Sequence, residues 1–190
     1  MPLFGAYVAD QYLGRFKTIM WAIAIAIVGH IILIVSAIPS VIIYPERAIA
    51  CFAVGLVLMG IGVGGFKSNI GPLIAEQYRE TRIRVIRDKR GQRVLLDPTV
   101  TVSRIFLYFY LMINAGSLVG QISMVYAEKY VGFWLSYTLP TIMFLICPMV
   151  LYLCRNKYER TQPTGSVLAK AAKLIALGMK GQWSISPIKT

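Results

Sequence analysis

Charge is scarce in this sequence, and chemistry-bearing side chains are scarcer. Only 15% of its 190 residues are charged, against roughly a quarter in an ordinary soluble domain. Histidine occurs once, as His30, and cysteine three times. With so few, and no acid, base and nucleophile clustered in polar loops, there is no constellation for an enzyme, and neither a metal nor an organic cofactor is expected. Cys51, Cys147 and Cys154 all fall in apolar runs, without the spacing of a metal site or a disulfide framework, and read as small apolar thiols. The opening residues lack the basic stretch of a cleavable leader, and none is expected.

What is present is long charge-free apolar sequence. Thr18 to Pro45 carries no charge beyond His30; Ala48 to Phe66 is interrupted by Lys67 and resumes through Ala75; Ile105 to Ala127 and Tyr130 to Cys154 complete the set. Each is long enough for the roughly 20 residues that cross about 30 Å of hydrocarbon. A soluble helix bundle does not carry uncharged runs of that length. The expected elements are a helix end over 1–9, spans over 16–38, 48–75, 103–127 and 131–154, a loop over 78–102 and a polar connection over 155–190. Leu3 to Ala9 is too short to span and reads as the last turns of a helix that begins elsewhere. Ser166 to Met179 has the apolar spacing of an interfacial amphipathic helix.

The net charge of +12 reads as a topology signal. Only Arg47, Lys67 and Lys129 stand apart; the other seventeen of the twenty basic residues lie before the first span, between the second and third, or after the fourth. The positive-inside rule makes that side cytoplasmic. The membrane accounts for the same residues that a nucleic acid would, so no nucleic-acid partner is expected. The 78–102 loop, with the turn Lys89-Arg90-Gly91-Gln92 and the breaker Asp97-Pro98, reads as short fraying structure, either solvated or against anionic lipid.

Three constellations carry chemistry. Gly5, Asp10, Gly14, Arg15 and Lys17 form a glycine-bracketed acidic and basic turn between two helices. In the second, Gly60, Gly64, Lys67 and Gly71 follow i, i+4, i+7, i+11 spacing, so one small-residue face also presents the lysine. A lysine at membrane depth costs about 2.5 to 3.5 kcal/mol on insertion scales, so it either snorkels to the interface or serves a function. In the third, Tyr110, Asn114, Ser117 and Gln121 draw a polar stripe at the same spacing. Gly116 and Gly120 add a G-x-x-x-G contact that serves packing or recognition alike.

The Gly5 to Lys17 run resembles the loop between the second and third helices of the major facilitator superfamily. With the other two motifs in order and register, the chain resembles the proton-dependent oligopeptide transporter (POT/PTR) family of that superfamily, particularly its fungal members. Leu73 to Tyr78 and Val131 to Pro140 resemble it as well. Ser68 departs from a common proline and Glu76 from a common aspartate. The fold implied is an all-α membrane protein, part of an N-terminal six-helix bundle, in the plasma membrane. The function implied is proton-coupled symport of di- and tripeptides. By resemblance, Lys67 is linked to proton coupling and receives the peptide carboxylate, Asn114 contacts the peptide backbone, Tyr110 lines the pocket, and the Gly5 to Lys17 residues latch the inward face. The family's E-x-x-E-R helix and second bundle are not found, so helix one and the C-terminal bundle are expected partners beyond this sequence. His30 resembles a family histidine but is expected to be packed and hydrogen-bonded. The alternatives are the same fold carrying nitrate or another small solute, or a truncated fragment that transports nothing.

Overall fold

A computed structural model describes residues 1–80, 82–87, 91–159, 163, 165 and 167–179. Helix α1 (Pro2–Val8) passes into a π-helical turn (Ala9–Leu13), and Gly14 redirects the chain into α2 (Arg15–Ser36). That redirection uses φ 76°, which glycine adopts without a Cβ clash. A short α3 (Pro39–Ile42) leads to α4 (Pro45–Glu76), each opening with proline, whose missing N–H costs nothing at a first turn. Strands β1 (Arg84–Arg87) and β2 (Arg93–Leu96) pair antiparallel before α5 (Pro98–Tyr130), α6 (Phe133–Leu153) and α7 (Val167–Met179). Asp97 caps α5 by accepting from Thr99 N–H at 2.8 Å. Gly132, at φ 131°, separates α5 from α6.

Four helices, α2, α4, α5 and α6, are long and apolar enough to cross a membrane. The interior is thin. Ile19, Ile23, Leu73 and Leu151 form its centre, with Phe16, Phe66, Phe144 and Tyr158 packed around them. Leucine, isoleucine, valine and aromatic side chains elsewhere on the spans point outward, as expected where lipid rather than water is the solvent.

Close packing between α2 and α4 is made by small residues. A Cβ on Gly62 would stand 2.5 Å from Ala26 N, and one on Gly29 would stand 2.5 Å from Met59 N. Gly55 abuts Leu33 and Gly65 abuts Ala22. Backbone approach of this kind replaces the hydrophobic drive that lipid cannot supply. The seam is not the Gly60, Gly64, Gly71 face read from spacing: Gly60 has no neighbour within 4 Å, Gly64 meets Met1 instead, and Gly71 only touches Phe106. The loop read over 78–102 likewise holds the β1–β2 pair, and its last five residues already belong to α5. The turn residues Lys89 and Arg90, and 180–190 of the tail, lie outside the described residues. On α7, Lys170, Lys173, Leu174, Ile175 and Leu177 are all exposed.

Candidate functional site

The first sequence motif folds into an ion-paired junction where α1, α2 and α4 meet. The π-helical turn sets Asp10 ahead of Gly14, and Arg15 opens α2. Its Nη1 donates to Glu76 Oε1 at 2.5 Å and its Nε stands 3.7 Å from Asp10 Oδ1. Gly5 and Gly14 are buried, and a Cβ on Gly5 would lie 2.7 Å from Gly65 Cα. Thr18 Oγ1 donates to the Gly14 carbonyl at 3.0 Å, holding the redirected chain. Lys17 does not join: it is exposed, and no ion pair of it is found among the described residues.

Several members of this junction lie outside the first motif. Asn69, 2% exposed, donates to the carbonyls of Gly65 at 2.8 Å and Gly5 at 3.2 Å, tying α1 to α4. Gln77 exchanges two hydrogen bonds with the Glu159 backbone, its amide donating at 3.3 Å and its oxygen accepting at 3.0 Å. Arg79 pairs with the Glu159 carboxylate, Tyr158 packs on Phe16, and Gly165 N–H donates to the Asp10 carbonyl at 3.1 Å. The chain after α6 thus straps the junction. Burial there raises the Tyr158 hydroxyl above its ordinary pKa, reinforced by Cys154 and Cys147. Such partners, up to 82 positions apart, leave no trace in spacing.

Lys67 of the second motif and the residues of the third stand on exposed faces, whereas Gly64 is buried against the start of α1. Gly55, Gly62, Gly65 and Leu73 place the buried side of α4 roughly opposite Lys67 on the helical wheel. Lys67 is exposed and makes no ion pair or hydrogen bond among the described residues. On α5, Tyr110, Asn114, Ser117 and Gln121 share one face, also exposed. Asn114 Nδ2 donates to the Tyr110 carbonyl at 2.8 Å, leaving its amide oxygen available, and Gln121 reaches Ser117 at 3.5 Å. The opposite face of α5 lines a cavity of about 520 Å³ with α6 and Phe66. Gly116, Val119, Gly120 and Ser123 contribute to it, so that cavity is apolar and holds none of Lys67, Asn114 or Tyr110.

One contact relates the two exposed faces. A Cβ on Gly71 would lie 3.9 Å from Phe106 Cε1. Lys67 precedes Gly71 by one turn and Tyr110 follows Phe106 by one turn, and consecutive spans run in opposite directions. Each residue therefore stands four positions, about 6 Å, along its own helix from that approach, with Asn114 four positions further along α5. His30 is packed: its Nδ1–H donates to the Ala26 carbonyl at 2.8 Å, since a carbonyl can only accept, and its ring stacks on Phe144 at 5.4 Å.

Four apolar helices, two of them joined along a glycine seam, define a helical membrane protein. The POT family profile (PTR2) matches residues 16–188. The chain belongs to the POT family. Peptide transporter PTR_A of Candidozyma auris is 40% identical over 96% of this chain, and Peptide transporter PTR2 of Saccharomyces cerevisiae 36% identical over 99%. Each match covers 31% of the relative's length, so the chain spans about a third of the curated relatives it matches. The crystal structure of the POT transporter PepTSo superposes at TM-score 0.72 with 23% identity, covering 100% of this chain and 32% of that one. An auto-inhibited POT peptide transporter gives 0.71 at 24% identity. The fold is accordingly that of part of the N-terminal bundle of a major facilitator superfamily protein, integral to the membrane.

Proposed function

We propose that this chain is the Lys67- and Asn114-bearing part of a proton-coupled di- and tripeptide symporter of the plasma membrane. The observation that supports the reading is that Lys67 and Tyr110 each stand one turn from the approach of Gly71 to Phe106, on faces that the described helices leave open. A pocket between two bundles that rock around a midplane site needs polar groups of this kind facing away from their own bundle. Lys67 offers a charge to the peptide carboxylate, Asn114 an acceptor to its amide, and Tyr110 an aromatic wall. Protonation of carboxylates in the remainder of the full-length protein weakens their pairing with Lys67, which couples the proton gradient to gate movement. The Asp10–Arg15–Glu76 junction, with Gly5 and Gly14 inside it and Lys17 exposed beside it, closes the cytoplasmic face in the outward-open state. The driving force is the proton gradient alone, and lipid, peptide and protons are the partners.

A second reading keeps the fold and changes the cargo. MFS-type transporter ucsM of Acremonium sp is 36% identical over 94% of this chain. Uptake by the full-length protein in liposomes distinguishes the two. Labelled dipeptide accumulates under an inward proton gradient, and nitrate does not compete. Accumulation of nitrate instead, or dipeptide entry indifferent to a collapsed gradient, removes the proposal.

A further inference from the structure

The β1–β2 hairpin has an arrangement that the transport reading does not use. Its register sets Arg87 directly opposite Arg93 and Val85 opposite Leu95, and these two pairs share one face of the ribbon. Like charges placed across a ladder destabilise it, and a two-stranded hairpin is marginal without a partner. Yet all four side chains are exposed, Val85 and Leu95 to 62% each. Arg84 is paired, with Glu80 at 2.8 Å, whereas no carboxylate stands against Arg87 or Arg93 among the described residues. A basic pair that no described carboxylate faces, beside an exposed apolar pair, is a surface suited to an anionic partner.

Position supplies such a partner. Asp97, the residue after β2, caps α5, so the hairpin is joined to the helix without slack. The charge-free run of α5 begins at Ile105. Pro98 to Arg104 therefore extends about 10 Å beyond it at about 1.5 Å per residue, just past a headgroup layer of about 5 to 8 Å. We propose that the Arg87–Arg93 and Val85–Leu95 face of the hairpin docks on the anionic headgroups of the adjoining leaflet, with the arginines on lipid phosphate and carboxylate. The proposal rests on α4 and α5 spanning the bilayer.

Hydrogen exchange read by mass spectrometry on the full-length protein tests it, in phosphatidylcholine nanodiscs and in phosphatidylserine-rich ones. Each arginine near an anionic surface contributes a factor of about five in partition. Amides of residues 93–96 are expected to exchange at least about five-fold more slowly in the phosphatidylserine nanodiscs, and R87Q/R93Q to abolish the difference while the 105–127 amides stay protected. Equal exchange in both nanodiscs, or a difference that survives R87Q/R93Q, overturns the docking with the spans intact. Rapid exchange over 105–127 overturns the spanning reading itself.

Discussion

Arg15 and Glu76 lie 61 positions apart in sequence and 2.5 Å apart in space. That pair, shared with Asp10, joins the start of α2 to the end of α4 at the junction through which the chain after α6 is strapped. Glu76 is 18% exposed at its side chain and Arg15 30%, between the surface and the buried limit. Arg15→Ala or Glu76→Ala is therefore expected to cost about 1 to 3 kcal/mol, above the exposed median and below the loss of a fully buried partner. The double variant should be less destabilised than the sum by about 1 kcal/mol. Thermal unfolding of the full-length protein in detergent measures this, and strict additivity would show the contact to be energetically empty.

The glycine seam separates two substitutions that look alike in sequence. At Gly62 a methyl group meets Ala26 N at 2.5 Å and Ala22 O at 2.6 Å, whereas at Gly60 it meets nothing. Gly62→Ala is expected to destabilise by about 1 to 3 kcal/mol through overpacking; Gly60→Ala is expected to be neutral or slightly stabilising. Paired melting curves decide it, and a similar loss at both positions would count against the seam.

Asn69 is the buried tie between α1 and α4. Asn69→Leu removes the second donor to the Gly5 carbonyl, which keeps its helical bond from Ala9 N–H, so the loss is about 0.5 to 1.5 kcal/mol. Amide exchange in α1 should rise in the variant while that in α6 stays unchanged. Uniform acceleration along the chain would instead indicate global unfolding.

Much of this was legible from composition and run length, because charge-free stretches of more than 20 residues admit few folds in water. The polar stripe through Asn114 was legible for the same reason, as one helix face among apolar neighbours. The α4 seam was not. Glycines at 55, 60, 62, 64, 65 and 71 satisfy several helical stripes at once, and only the approach of α2 selects Gly55, Gly62 and Gly65. Strands β1 and β2, four residues each with irregular alternation, are too short for periodicity to register. Glu76, Gln77 and Glu159 find partners through tertiary structure alone.

Alkaline titration reports on the strap. The neutral form of Tyr158 is favoured in the fold, chiefly by burial. Its contribution is fully present below the ordinary tyrosine value of about 10 and is lost as pH rises through the raised folded value. The stability of the parent relative to Tyr158→Phe is expected to fall across that window. A gap constant with pH would mean that the hydroxyl keeps its ordinary value.

The proposed coupling rests on Lys67, and one comparison tests it most directly. Full-length protein and its Lys67→Ala variant are reconstituted in liposomes, and gradient-driven dipeptide accumulation is set beside peptide exchange at equal pH. The variant is expected to lose accumulation by at least about ten-fold, equivalent to about 1.4 kcal/mol, and to retain exchange. Undiminished, gradient-dependent accumulation by Lys67→Ala would contradict the assignment.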